Sequence, residues 1–377
     1  MKKLKVMTIV GTRPELIKLS RVIAELDKTC HHILVHTGQN YDDELNKVFF
    51  DDLEIRKPDY YLDAASESAV ETISQVISKV DPVIVDEDPD AILLYGDTNS
   101  CLSAIVAKRR KVPLFHMEAG NRSFDERVPE EINRRIVDHI SDINMPLTEH
   151  ARRYLIAEGI SPETIIKIGS CMEEVIDYYK PKIDESRICE QLGIEPKEYF
   201  LISAHREENV DKSERLINLL EALNSLAEKY DVPIIFSVHP RTRKRLDEIS
   251  SVNIDKRINF MKAMGFLDYV NLQMNAKCVI SDSGTIAEES ALLNIPSITL
   301  RQAHERPEGM DEGTLIMSDL IPEKVLQSVD IVLSQYNSDS PLTRVVEDYK
   351  GGNVSVKVSR IIQSYTDYIN RTVWRKI

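Results

Sequence analysis

The chain is predicted to be an α/β protein of two domains, each built on a parallel sheet. Three features carry that expectation. Short apolar runs alternate with segments of helical spacing from one end to the other, the rhythm of strands joined by helical crossovers. A length of 377 residues exceeds what one core comfortably holds. Between 180 and 197 the composition turns strongly charged and carries two prolines, which predicts a linker.

Residues 4–10 form the first apolar run. Gly11, Thr12, Arg13 and Pro14 make the turn, and Leu16, Leu19, Ile23 and Leu26 predict a helix over 15–26. Pro14 suits a first helical turn. Arg13 then stands at a helix N-terminus, where it either binds a phosphate or forms a surface ion pair. The turn is not GxGxxG, so the generic dinucleotide fingerprint is absent. A strand over 33–37 opens into GQNYDDELNKVFF, read as a loop followed by a helix. An edge strand over 59–62, a helix over 70–80 and a strand over 91–95 follow. A helix-like segment over 100–111 links that strand to another over 112–117, completing a β-α-β unit. Beyond lie a helix over 132–140, a strand over 144–147, a helix capped by Thr148 and stopped at Gly159, and a strand over 165–168.

The second series starts with a strand over 200–203 that ends in AHREENVD. A helix over 215–229 and a strand over 234–238, ending in HPRTRKR, come next. Short elements over 258–260 and 269–274 precede a strand over 278–281, which ends in DSGTIAEES. A strand over 297–300 ends in RQAHERPEG, and a last helix covers 357–373.

Hydrophobic residues make up 42% and charged residues 29%, the balance of a water-soluble globular protein. A formal charge of −14 repels nucleic acid and anionic membrane. It also repels a nucleotide, which would need local Arg, Lys or helix N-termini. The five cysteines are scattered, with no metal or disulfide spacing, and read as reduced intracellular thiols. The basic, apolar start is read as a first strand rather than a signal peptide, and no run reaches the length of a membrane span. His205, His239 and His304 each follow a strand, and His116 precedes Glu118. No HExxH or tight cluster accompanies them, so no metal site is expected.

Chemistry concentrates at the predicted strand ends. The 91–95 run delivers Asp97, the 112–117 run delivers Glu118, and Glu130 follows on the next segment. One such carboxylate is usually a cap or a surface group. Three converging near one crevice point to proton transfer. In the second half, Ser283 and Gly284 occupy a tight turn at a helix start, where backbone N–H groups can hold a diphosphate. Glu289 follows a little over one turn in and could accept ribose hydroxyls. Arg301, His304 and Arg306 are expected nearby. No Ser-His-Asp elbow, P-loop or kinase set is present.

These motifs in this order resemble the non-hydrolysing UDP-N-acetylglucosamine 2-epimerase family over nearly the whole chain. They are GTRPE at 11–15, GDT at 96–98, HMEAG at 116–120, PEEINR at 129–134, AHREEN at 204–209, HP at 239–240, DSG at 282–284, EE at 288–289 and ERPE at 305–308. The resemblance implies two Rossmann-like domains facing across a cleft, in the manner of GT-B glycosyltransferases. It places a carboxylate-bearing domain at 1–180, rejoined by a C-terminal helix at about 358–377, and a UDP-binding domain at 198–357. It implies catalytic roles for Asp97, Glu118, Glu130 and His205, and nucleotide contacts for Arg13, Lys18, His239, Ser283, Gly284 and Glu289. It also implies C2 epimerisation through a glycal without NAD, a homodimer and a cytoplasmic enzyme.

The chain departs from the common pattern at HTGQNYD, at Glu207 after His205-Arg206, at Thr285 in place of a second Gly, and at Gly120-Asn121-Arg122. Those variants, with GDTNSCL and HMEAGNR, resemble the branch that converts UDP-2-acetamido-2,6-dideoxy-L-talose to UDP-N-acetyl-L-fucosamine. They make Asn121, Arg122, Arg206, Arg301, His304 and Arg306 candidates for a substrate loop. Regulation by a second, activating UDP-sugar is in doubt on the same grounds. The alternatives are epimerisation of UDP-N-acetylglucosamine to UDP-N-acetylmannosamine, a glycosyltransferase of the same fold, and a non-catalytic nucleotide-sugar sensor.

Overall fold

A computed structural model describes residues 3–38, 50–238, 240–247, 249, 252–301, 306–336 and 345–376. The chain divides into two compact units, Met1–Tyr178 with Asp348–Ile377, and Tyr179–Glu347.

In the first unit the elements run β1 (Lys5–Val10), α1 (Arg13–Thr29), β2 (His31–His36), β3 (Tyr60–Tyr61), α2 (Ala69–Glu87), β4 (Ala91–Tyr95), α3 (Ala104–Arg109), β5 (Leu114–Met117), α4 (Pro129–Ile140), β6 (Ile143–Met145), α5 (Glu149–Ala157) and α6 (Met172–Asp184). The strands pair in parallel in the order β3-β2-β1-β4-β5-β6. Central strands such as β4 are buried along their whole length, because helices cover both faces of a parallel sheet.

Tyr179 lies within α6, so one helix carries the chain into the second unit. There follow α7 (Ile188–Leu192), β7 (Phe200–Ser203), α8 (Glu207–Val210), α9 (Ser213–Tyr230), β8 (Ile234–Val238), α10 (Pro240–Asp247), β9 (Ile258–Lys262), α11 (Phe266–Asn275), β10 (Cys278–Ser281), α12 (Ile286–Leu293), β11 (Ser297–Thr299), α13 (Pro307–Asp311), β12 (Ile316–Met317) and α14 (Pro322–Gln335). The order β12-β11-β10-β7-β8-β9 is the first sheet's order, strand for strand, read from the other edge. The last helix, α15 (Val354–Thr372), returns to the first unit and packs on α1.

Several expectations change. The charged stretch 180–197 is not a loose linker: α6 runs into it, and Ile188 and Ile194 are buried in the second unit's core with Tyr199 and Leu272. Residues 165–168 run beside β6 without forming a regular strand: Ile165 bridges to Asn144, and the Ile166 and Ile168 N–H groups donate to the Asn144 and Pro146 carbonyls at 2.9 and 3.0 Å. The 100–111 crossover begins as a 3-10 turn over Asn99–Ser103 before α3. α2 runs on past exposed Pro82 because Val83 and Ile84 still pack in the core. The 39–49 part of the GQNYD loop lies outside the described residues.

In both sheets the chain switches direction between two neighbouring strands, β1 and β4 in the first. The loops that leave those strand ends are fastened by Glu15. Its Oε2 accepts from the Gly11 and Thr12 N–H groups at 3.0 and 2.7 Å and from Thr12 Oγ1 at 2.8 Å, while Oε1 accepts from Thr98 Oγ1 at 3.1 Å. This is a capping box that also reaches the neighbouring strand's loop. Gly11 is required by the same closeness: a Cβ there would lie 1.9 Å from Ser100 Oγ.

Burial pushes the Glu15 carboxyl up to about 7, and the hydrogen bonds from Thr12, Gly11 and Thr98 pull against it. A carboxyl raised in the folded state contributes stability that is fully present below its unfolded pKa and is lost as pH rises through about 7. Glu15→Gln therefore matches the parent near pH 5 and gains on it towards pH 8. Glu15→Ala loses about 1–3 kcal/mol throughout by stranding buried N–H groups. Thermal melts across that range check both; parallel curves for parent and Glu15→Gln would contradict the raised carboxyl.

Candidate active site

Tyr95 of β4 and Met117 of β5 are register partners, so Asp97 and Glu118 leave the sheet side by side. Glu118 itself adopts a left-handed backbone, φ +61°, unusual for a residue with a Cβ. A Cβ on Gly96 would lie 3.5 Å from Glu118 Oε1, which puts that carboxylate over the start of the Asp97 loop. Glu118 Oε2 accepts from Lys18 Nζ at 2.6 Å and from the Tyr95 hydroxyl at 2.7 Å. Lys18, expected at the nucleotide, is thus nearly buried against a candidate catalytic carboxylate. Asp97 is gripped by Arg134, with Nε at 2.8 Å and Nη2 at 2.7 Å from Oδ2. Its carbonyl accepts from Asn133 Nδ2.

Asn133 and Arg134 come from α4, which begins at Pro129, earlier than the 132–140 helix expected. Glu130 therefore lies on the first helical turn. It is half-buried, and among the described residues its side chain has no hydrogen-bond or ion-pair partner. Its neighbour Glu131 is buried and structural, bound to Ser123 and to Arg134 Nη1 at 2.9 Å. Arg13 stands at the start of α1 and is half-buried.

Arg122, a substrate-loop candidate, is engaged inside the fold. Its guanidinium is fully buried, with Nη1 2.8 Å from Asp138 Oδ2 and Nε and Nη2 at 2.8 and 2.6 Å from the two Glu158 oxygens. Nη1 also donates to the carbonyl of Asn121, another buried residue. A guanidinium with that many acceptors is pinned in place.

In the second unit Asp282, fully buried, fastens the loops after β7 and β10. It accepts from the N–H groups of His205 and Arg206 and from Asn209 Nδ2, each within 3.1 Å. The His205 ring remains exposed, with Nδ1 3.3 Å from Asp282 Oδ1; a proton on Nδ1 leaves Nε2 to face a ligand. Arg206 is half-buried. Ser283 Oγ contacts Thr285 Oγ1 at 2.9 Å in the turn that opens α12. Ser283, Gly284, Thr299, Arg301 and Arg306 line one cavity, so the structure brings these candidates together. Arg306 is also paired with buried Glu288 at 2.9 Å. Glu289 is buried, and its Oε2 accepts from Gln273 Nε2 at 2.6 Å. His239 and His304 lie outside the described residues.

Glu15, Arg134 and Asp282 hold the site loops without having stood out in the sequence as site residues. The first two carried usable signals, the T-x-x-E spacing of a capping box in TRPE and an arginine one turn after the carboxylates in PEEINR. Among the described residues no group of His, Cys, Asp or Glu is arranged to hold a metal ion, and no helix is long and apolar enough to cross a membrane.

The placement of Arg122 has a measurable consequence. Arg122→Met takes the guanidinium from buried Asp138 and is expected to lose about 3–5 kcal/mol of stability. Urea unfolding measures this; a loss below about 1 kcal/mol would return Arg122 to a surface or ligand-facing role.

Comparison with known proteins bears on these motifs as a set. Residues 24–363 match the family model for UDP-N-acetylglucosamine 2-epimerase. A UDP-N-acetylglucosamine 2-epimerase structure from Rickettsia bellii is 57% identical and superposes with a TM-score of 0.93, covering 99% of this chain and 100% of that one. The Methanocaldococcus jannaschii UDP-GlcNAc 2-epimerase, solved with UDP-GlcNAc and UDP, is 35% identical with a TM-score of 0.88, covering 96% and 100%. A UDP-2,3-diacetamido-2,3-dideoxy-D-glucuronate 2-epimerase of Pseudomonas aeruginosa is 31% identical over 95% of this chain and 99% of its own length. With the two repeated parallel sheets and the strand-end carboxylates already in place, the chain belongs to the UDP-N-acetylglucosamine 2-epimerase family of non-hydrolysing isomerases.

Proposed function

We propose that this protein interconverts UDP-N-acetylglucosamine and UDP-N-acetylmannosamine by inverting C2 of the sugar. The observation that carries the reading is the side-by-side placement of Asp97 and Glu118, held by Arg134 and Lys18, with Glu130 on the first turn of the helix that carries Arg134 and without a side-chain partner among the described residues. The reaction asks for such a set. A carboxylate removes the C2 proton while the C1–O bond breaks and its electron pair leaves with UDP, giving a 1,2-unsaturated sugar. A proton then arrives at the opposite face of C2, and the UDP oxygen re-adds at C1. Atoms balance and nothing is oxidised. The C2 proton is only weakly acidic, so departure of the diphosphate must drive the elimination, and charge on it must be stabilised.

The Ser283–Gly284 turn is assigned the diphosphate, through N–H groups at the start of α12. Arg13, Glu289 and His239 are assigned further nucleotide contacts, and His205 Nε2 proton transfer to or stabilisation of the leaving diphosphate. Two carboxylates on separate segments serve the two faces of C2, one as base and one as acid.

A second reading keeps the chemistry and changes the sugar to UDP-2-acetamido-2,6-dideoxy-L-talose and UDP-N-acetyl-L-fucosamine. HTGQNYD, GDTNSCL and HMEAGNR favour it. The P. aeruginosa relative, which acts on another UDP-linked acetamido sugar, supports variation of substrate within the family.

Asp97→Asn, Glu118→Gln and Glu130→Gln are each expected to lower kcat by about 10²–10⁴-fold, the range of general acid–base catalysis, while retaining UDP affinity by calorimetry. Product formed in D₂O carries deuterium at C2. Near-normal turnover in two of the three, or product without deuterium, would remove the carboxylate mechanism.

Substrate choice follows from the 6-position. A pocket that hydrogen-bonds a 6-hydroxyl rejects a 6-deoxy sugar by about 10⁴–10⁵, whereas an apolar pocket rejects the extra hydroxyl by only about 10². The ratio of kcat/KM for the two UDP-sugars is expected to favour the glucosamine form. A preference for the 6-deoxy form would install the second reading.

A further inference from the structure

We propose that His116 is held as a doubly protonated imidazolium at neutral pH, its two N–H groups positioning the loops that carry Asp97 and Glu118. The ring is 1% exposed and lies on β5 between β4 and β6. Its Nε2 is 2.7 Å from the Gly96 carbonyl oxygen and its Nδ1 is 2.9 Å from Asp138 Oδ1. A carbonyl only accepts. Asp138 Oδ2 takes the Gly120 N–H at 3.1 Å and Arg122 Nη1 at 2.8 Å, the contacts of a carboxylate, and with Asp138 as a carboxylate its Oδ1 too can only accept. A neutral imidazole has one N–H and would turn a lone pair towards one of these oxygens, in a place no water reaches. Two acceptor partners require two protons.

Charge bookkeeping agrees. The groups facing the ring are Asp138 from α4, Arg122 from the loop after β5, and Asp97 in the loop after β4, itself paired with Arg134; Glu158 joins through Arg122. With the imidazolium, the cluster of buried His116, Asp138 and Arg122 with half-buried Glu158, which also meets exposed His139, is neutral. Without its proton, the cluster holds an uncompensated charge in the interior. Burial works against the ring's charge, yet the hydrogen bond and charge of Asp138, with the Gly96 carbonyl, hold its pKa above the ordinary value.

The imidazolium touches no position assigned to substrate, so it is a positioning residue. It fastens Gly96, the residue before Asp97. Through Asp138 it also fastens Gly120, two residues after Glu118. Arg134 and Lys18 hold the carboxylates by their tips; His116 holds the backbone they stand on. Loss of its proton frees one of the two loops.

Only the kinetic arm of the test rests on the epimerase reading. In the full chain, labelled with ¹⁵N-histidine and without ligand, long-range ¹H–¹⁵N spectra assigned with His116→Gln are expected to show both His116 nitrogens protonated at pH 7.5. They should stay so while exposed histidines titrate. One protonated and one bare nitrogen at that pH overturns the proposal, whether or not the protein epimerises anything. In the kinetic arm, Asp138→Asn removes the anion that holds the second proton. It is expected to lower kcat about tenfold or more with UDP affinity unchanged, and to move the alkaline fall of kcat to lower pH by at least one unit. An Asp138→Asn protein that folds and keeps the parent's alkaline limb overturns the positioning role. If that variant fails to fold, the nitrogen spectra of the parent still decide the protonation state.

Discussion

At the point where each sheet reverses its strand order, one buried carboxylate holds two neighbouring strand-end loops together. Loops that leave parallel strands carry N–H groups with no ladder partner, and buried N–H groups must be paired. In the first unit Glu15, from the β1 side, pairs the Gly11 and Thr12 amides and reaches Thr98 beyond β4. In the second unit Asp282, from the β10 side, pairs the His205 and Arg206 amides beyond β7. The same topology is thus fastened from opposite sides of its switch. In both cases the fastened loops present the residues proposed to act, and in both cases the fastening carboxylate is spent on backbone and unavailable for chemistry.

A second pattern separates working carboxylates from structural ones. Asp97 and Glu118 are each paired to one buried cation, Arg134 and Lys18. Asp138 is paired to a ring, an amide and a guanidinium at once, and none of these can leave without exposing another. The distinction lies in what each partner could do instead. Lys18, a point charge on a flexible stem, can turn its ammonium to another acceptor. Arg122, sealed between Asp138 and Glu158, cannot.

The parallel architecture was legible because it is written in local patterns: apolar runs of strand length, turn residues after them, and helical spacing between. Asp97, Glu118 and His205 were legible as strand-end positions for the same reason. What the sequence hid is pairing over distance. HMEAGNR shows an arginine two residues after a glycine and says nothing of an aspartate 16 residues on; in the fold, a helix turns that aspartate back towards it. Lys18 was assigned to the nucleotide by resemblance alone, and its pairing with Glu118, 100 residues away, was not visible. The run at 165–168 had strand composition, and it does pair along the β6 edge, but through one bridge and two backbone hydrogen bonds in place of a regular ladder. The charged stretch 180–197 misled in the opposite way: its few apolar residues, Ile188 and Ile194, are the ones that pack.

The discontinuity of the first unit sets the order in which the chain can be completed at the ribosome. Residues 348–377 belong to that unit but emerge only after the whole of Tyr179–Glu347. Until they do, α1 lacks the covering supplied by α15 with Val358, Ile362 and Ile369, and Asp348 is not yet there to bind Lys167 and the N–H group of Glu149. The second unit, an uninterrupted stretch, can close while the first is still open. The unit whose synthesis begins first is therefore finished last. During the interval its uncovered α1 face is the surface most exposed to wrong partners, and a chain cut short before α15 would keep it so.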